Sequence, residues 1–179
     1  MSSTNGTVVS RPSEAACSGE ESIEKAISKH PFLEGMSPHQ LALVRDFAIR
    51  VHFTRDEMIF REGDPATRFY LLQNGRVALE SFVVNRGKVV IDTLHGGEVL
   101  GWSWLFPPHL WHFDARALEP TDALFIYGLP LREECESDHE LGYELMKRMA
   151  ALMLSRLQAT RRQLVRLCPV SEWTKGIGL

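Results

Sequence analysis

A mainly β fold, an all-β roll or sandwich with flanking helices and a long helix towards its C-terminal end, is predicted by three features of the sequence. From Arg50 to about Tyr127, short runs rich in β-branched and aromatic residues alternate with turn signals at short intervals. Two short helical patterns precede this stretch, and from Asp138 to about Leu167 there is almost no helix breaker. The 179 residues, 44% hydrophobic and 24% charged, suffice for one sizeable core.

The elements follow in chain order. Met1 to Cys17 is rich in Ser and Thr, with a lone Arg11 and no apolar run, so it reads as a mobile tail and not as a signal peptide or membrane anchor. Glu21 to Lys29 and Ser37 to Ala48 read as helices. The second opens on Ser37-Pro38, which suits an N-cap followed by proline at the first helical position, and Leu41, Leu43, Val44 and Phe47 form its inward stripe. In the β region the clearest hairpin pattern is Phe69 to Leu79, turning at Asn74-Gly75, the preferred pair of a type I′ turn. A second hairpin, Ser81 to Thr93, turns at Asn85-Arg86-Gly87.

Beyond Pro130 the β signal ends. Leu141, Leu145, Met149, Leu152, Leu157, Leu164 and Leu167, mostly three or four apart, predict a long amphipathic helix. It is longer than the rolled sheet needs, and a surplus apolar edge is commonly buried against a second copy, so a homodimer through this helix is expected. The expected organisation is a disordered N-terminal tail over 1–20, a helix pair plus β-roll over 21–137, the long helix over 138–167 and a tail over 168–179.

Charge and composition narrow the function. A net charge of -3 and a pI near 6.2 give no basic excess for a phosphate backbone. Only Cys168 to Leu179 follow the long helix, too little for a helix-turn-helix, so direct DNA binding is not expected. Cys17, Cys135 and Cys168 are odd in number and far apart, which fits a reducing cytoplasm. No membrane partner is expected. No Ser-His-Asp arrangement, P-loop lysine motif or paired-carboxylate signal indicates catalysis, and the acidic run Glu133, Glu134, Glu136 and Asp138 is assigned to the positive end of the long helix. His95, Glu98, His109 and His112 raise a cupin-like metal alternative, but the usual His-x-His pairing is absent and no metal ligand is assigned.

Several motifs in order resemble the cyclic nucleotide-binding domain, as found in the catabolite activator protein and in kinase regulatory subunits. Arg61-Glu62-Gly63-Asp64-Pro65-Ala66-Thr67-Arg68-Phe69-Tyr70-Leu71-Leu72-Gln73-Asn74-Gly75-Arg76-Val77 looks like the second and third strands of that family with the Gly-Asp-Pro turn between them, and Gly97-Glu98-Val99-Leu100-Gly101 like the approach to its phosphate-binding cassette. With the terminal helix the resemblance spans roughly Pro31 to Leu167. It implies a β-roll, or jelly roll (double-stranded β-helix), closed by the long C-terminal helix.

In that family a Gly turn leads into a short helix whose backbone N–H groups face a cyclic phosphate. An Arg contacts the phosphate and a Glu accepts from the ribose. The family pattern lies on Gly101 to Ala117 without a gap: Gly101 matches the turn glycine, and Leu105 and Arg116 match too. Trp102 stands where the family has its Glu, and Trp111 where it has its Arg. A hydrogen bond to a charged group contributes about 1.5–3 kcal/mol, so each loss weakens binding by roughly ten- to a hundredfold.

Ser103, His112 and Arg116 are the candidate replacements, with strand alternation putting His112, Asp114 and Arg116 on one face and Trp111, Phe113 and Ala115 on the other. On the long helix, Ser155 to Thr160 resembles the base-capping segment, with Arg156 and Thr160 on matching positions; as alternatives, Arg156 is a solvated helix arginine and Thr160 a dimer-seam residue. Three of the four tryptophans lie between Trp102 and Phe113, either as a ligand pocket or as filling of the vacated nucleotide site.

The expected function is that of a non-enzymatic regulatory sensor for a small ligand, of cyclic nucleotide-binding type with weakened or altered specificity. No cofactor is expected beyond such a ligand, for which a cyclic nucleotide is one candidate. The alternatives are a ligand-free interaction or scaffold protein that retains the fold and, more remotely, a cupin-like metal protein.

Overall fold

In a computed structural model the described residues are 22–167, so both predicted tails lie outside them. The chain divides into two compact units, Met1–Ser137 and Asp138–Leu179.

The first unit begins with helix α1 (Ile23–Lys29), a 3-10 turn (Pro31–Leu33) and α2 (Pro38–Asp46). Ser37 caps α2 through a full capping box with Gln40, as Ser-Pro predicts. Of the expected stripe only Val44 is fully buried, and Ala48, placed in the helix by the sequence, opens the first strand. Eight strands follow: β1 (Ala48–Phe53), β2 (Met58–Phe60), β3 (Arg68–Leu72), β4 (Arg76–Val83), β5 (Gly87–His95), β6 (Val99–Leu100), β7 (Asp114–Ala117) and β8 (Thr121–Tyr127). They form two antiparallel sheets, β1-β8-β3-β6 and β2-β7-β4-β5. The core of the roll unites side chains of both, including Val51, Phe53, Phe60, Tyr70, Leu72, Val77, Leu79, Phe125 and Trp111.

The stretch Phe69 to Leu79 is not a hairpin. Both edges of β3 are taken, by β8 and β6, so β4 has no edge to join and enters the other sheet. Asn74-Gly75 is instead the corner between sheets, and only Gly75 has positive φ, +83°. A Cβ on Gly75 would stand 2.3 Å from Thr121 Oγ1, so the corner needs glycine for close approach as well as for its backbone. Asn74 is held by Asp122, to whose Oδ2 it donates at 2.6 Å, while its own Oδ1 accepts from the Asp122 N–H. Asp122 also bonds His52 at 2.6 Å, joining β1, β8 and the corner.

The second hairpin is as expected: β4 and β5 pair throughout, and the turn uses positive φ at Asn85 and Gly87. Its tip exposes Phe82, Val84 and Val90. A further helix, α3 (Gly128–Ser137), ends the unit. The last strand ends at Tyr127, and Pro130 sits in the first turn of α3, where no backbone N–H is needed. Glu133, Glu134 and Glu136 lie on α3, and of the acidic run Asp138 is the residue that caps the long helix.

The second unit is α4 (His139–Leu167), 29 residues and thus about 44 Å long. Asp138 caps it, its carboxylate accepting from the N–H groups of Glu140 and Leu141. Leu141, Leu145 and Met149 are buried, whereas Leu154, Leu157 and Val165 are exposed. No helix among the described residues is long and apolar enough to cross a membrane.

His30 ties the N-terminal segment to the roll: its ring is buried, Nε2 donates to the Leu72 carbonyl at 3.2 Å and Nδ1 accepts from the Phe32 N–H. Burial lowers its pKa below the ordinary 6.5, against the opposing pull of the Leu72 carbonyl. The unfolded chain then binds a proton near pH 6.5 that the folded one refuses. The contribution to stability is therefore whole above pH 6.5 and is lost as pH falls below it, by up to about 1.4 kcal/mol per unit. Urea unfolding between about pH 5 and 8 should show this decline, and His30→Gln should flatten it. An unchanged profile in the variant would refute the assignment.

Candidate functional site

The segment between β6 and β7 carries the predicted site. Gly101 has φ +91°, reachable only cheaply by glycine, and leads into a turn in which the Leu105 N–H donates to the Trp102 carbonyl. In place of the short helix implied by the resemblance the segment makes this turn and a second one, in which the His109 N–H donates to the Phe106 carbonyl. Its aromatic residues diverge: Trp104 is buried and stacks on Phe69 (centroids 5.1 Å apart), lying against Gly128, where a Cβ would come within 2.9 Å of the ring. Trp102 is half-buried.

Trp111 is the centre of the arrangement. It is 3% exposed, stacks on Phe60 at 3.8 Å between centroids and 11° between planes, and covers Gly101 so closely that a Cβ there would lie 2.6 Å from Cζ3. Its backbone is laced to the Gly-Asp-Pro turn: the Gly63 N–H donates to the Trp111 carbonyl at 2.8 Å and the Trp111 N–H to the Asp64 carbonyl at 2.9 Å. Leu110 bridges to Pro65, and the Ala66 N–H donates to the His109 carbonyl. The turn that carries the resemblance is thus the structural partner of Trp111. Its indole Nε1 is buried and meets no acceptor.

The polar candidates are placed differently from one another. Ser103 is buried and its Oγ lies 3.1 Å from Nδ1 of the exposed His112. Arg116, on the opposite face of β7 from buried Ala115 and Ala117, pairs with the buried Glu80 of β4 and is half-exposed. Asp114, on the same face as Arg116, accepts from Lys88 and from the Glu62 N–H. Arg156 and Thr160 stand one turn apart on α4, where Thr160 Oγ1 donates to the Arg156 carbonyl. His109 accepts from Arg132 of α3. His95 and Glu98 approach to 3.4 Å, but among the described residues no group of three metal-ligating side chains converges.

Motif comparison passes over Arg68, which the alternation of β3 would have placed on the face of Tyr70 and Leu72. Its Nε donates to the Tyr70 hydroxyl at 2.6 Å, and its guanidinium lies 5.8 Å from the Tyr70 ring centroid and 5.6 Å from that of Phe125. The Arg68 carbonyl is 3.7 Å from where a Gly101 Cβ would stand, so β3 runs directly beside the cassette turn.

Because Gly101 combines positive φ with contact to the rigid Trp111 ring, Gly101→Ala should cost about 2–4 kcal/mol in chemical denaturation. In a Trp111→Ala background, itself destabilised by loss of the buried indole, Gly101→Ala should cost less than in the unaltered chain, since the clash is gone and only the backbone strain remains. Strictly additive losses would show that the ring does not press on this glycine.

The chain matches the family model "Cyclic nucleotide-binding domain" over residues 50–138. It is 30% identical to a Geobacter metallireducens protein described as a cyclic nucleotide-binding protein, with a TM-score of 0.64 over 72% of this chain and 92% of that one. A cyclic nucleotide-binding domain from Methylobacillus flagellatus shares the fold at 18% identity, with a TM-score of 0.71 over 82% of this chain and 83% of the other. Cyclic nucleotide-gated ion channel 2 of Arabidopsis thaliana is 35% identical over 105 residues, 56% of this chain but only 14% of the channel's length. With its two four-stranded sheets, the Gly101 turn between β6 and β7 and these likenesses, the chain belongs to the cyclic nucleotide-binding domain family.

Proposed function

We propose that the chain is a non-enzymatic regulatory module whose response to cyclic nucleotides is weakened or altered. The observation that carries this reading is the position of Trp111: the residue matching the phosphate-binding arginine is a buried indole stacked on Phe60 and packed over Gly101. The cation is gone and its place beside the turn is filled. Trp102 removes the ribose acceptor in the same way, and Arg116 is engaged by Glu80. Ser103 and His112 hold one another at 3.1 Å, so a phosphate would have to compete with that bond.

Calorimetric titration with cyclic AMP and cyclic GMP should give no saturable binding below about 1 mM. The double variant Trp102→Glu, Trp111→Arg restores both family groups and should gain affinity at least about tenfold. Micromolar binding by the unaltered protein would overturn the reading. The same filled position favours a second reading, a scaffold that uses no ligand, which a ligand-induced rise in Tm would exclude.

Output through a homodimer is part of the proposal. Leu154, Leu157 and Val165 are exposed on α4 at spacings that return to one side of the helix, a pattern supporting helix pairing. Light scattering after size exclusion should give the dimer mass, and Leu154→Glu with Leu157→Glu should give the monomer mass with unchanged secondary structure. A monomer before mutation would dismiss this assembly. A cytoplasmic location without direct DNA contact accords with this role.

A further inference from the structure

We infer that Arg68 is the anion-binding group of this roll, receiving a phosphate or carboxylate carried on a flat aromatic or heteroaromatic body. The inference deepens the proposed function: the charge missing from position 111 is supplied by the strand alongside.

Three properties set Arg68 apart from an ordinary surface arginine. It extends from the inner face of β3, half-buried, and lies over two aromatic rings of the core. Among the described residues no carboxylate pairs with it, although the sequence holds 23 Asp and Glu. Its orientation is nevertheless set, because Nε donates to the hydroxyl of Tyr70, a side chain only 2% exposed. With Nε anchored, both Nη groups remain for a ligand, as a planar fork that matches the two oxygens of a phosphate or carboxylate. A leucine would cover Tyr70 and Phe125 without the desolvation cost of a cation, so packing alone does not account for an arginine here.

The surroundings define the rest of the ligand. Tyr127 stands directly opposite Arg68 on β8 and is 44% exposed, forming an edge-to-face pair with Phe125. Ile49, opposite Phe125 on β1, is also exposed. A planar ring therefore finds aromatic and aliphatic surface beside the guanidinium, while the Arg68 backbone adjoins the Gly101 turn. All these residues belong to the first unit.

The test uses two matched pairs of probes in which only the charge differs, 2-naphthoate with 2-naphthamide and cyclic AMP with adenosine. Binding is followed by calorimetry and tryptophan fluorescence on the full chain. At least one anion should bind more tightly than its neutral partner by about tenfold or more. Arg68→Gln should erase that preference while leaving the neutral probe unchanged, and Arg68→Lys should keep an intermediate part of it. Should Arg68→Gln fail to fold, the lysine variant and the neutral-anion contrast in the unaltered protein still decide. Preference for naphthoate alone identifies an aromatic acid as the ligand class, and preference for cyclic AMP alone a nucleotide phosphate. Equal binding of anion and neutral partner, an anion preference that survives Arg68→Gln, or no binding of any probe by about 1 mM overturns the inference. The two ideas fail separately: micromolar cyclic AMP binding that depends on Arg68 refutes a weakened nucleotide response and upholds Arg68, whereas silence of all four probes refutes Arg68 and leaves the weakened response standing.

Discussion

The contact of Trp111 with Gly101 and Phe60 is the constraint around which the roll and its cassette are arranged. The indole brings the loop between β6 and β7 onto the core, and its backbone bonds to Gly63 and Asp64 pull the turn between β2 and β3 onto the same point. Two segments far apart in sequence thereby share one anchor. Burying an indole side chain stabilises a fold by several kcal/mol, whereas a buried arginine without an anion would cost energy. In the family pattern that cost is offset by ligand. Here Trp111 holds the turn by packing over Gly101, together with its backbone hydrogen bonds to Gly63 and Asp64.

The polar groups of the first unit follow from the same aromatic interior. Tyr70 lies within 6.4 Å of Phe60 and at right angles to Phe125, and its hydroxyl is deep enough to require a partner, which Arg68 supplies. On the outer face of the other sheet the partnership is internal, Arg116 with buried Glu80. Two arginines on one roll thus have opposite situations: one is neutralised by a neighbouring strand, the other is oriented and left with open donors. That contrast, more than the number of basic residues, is what supports the proposed role of Arg68. The family's fold is retained.

Much of the site could be located but not configured from the motifs. Gly101, Trp102 and Trp111 all lie on the segment between β6 and β7, because local spacing sets where a turn and a strand begin. That Trp111 stacks on Phe60, 51 positions earlier in the chain, depends on the pairing of β2 with β7, which local spacing does not encode. Arg68 went unremarked because the motif match runs through it without using it. The alternation Arg68, Tyr70, Leu72 was the available signal.

Periodicity by itself determined the mainly β centre, the capped second helix, the long α4 and the Asn85 to Gly87 turn, since each rests on φ preferences and side-chain spacing within a few residues. Tertiary structure decided what competes over longer range. Asn74-Gly75 became a corner because β8 and β6 already occupy both edges of β3. Pro130 entered α3 because the first turn of a helix tolerates it. Arg68 met Tyr70 and Phe125, and Trp111 met Gly101, because sheet closure brings together side chains whose separation along the chain carries no local energetic signature.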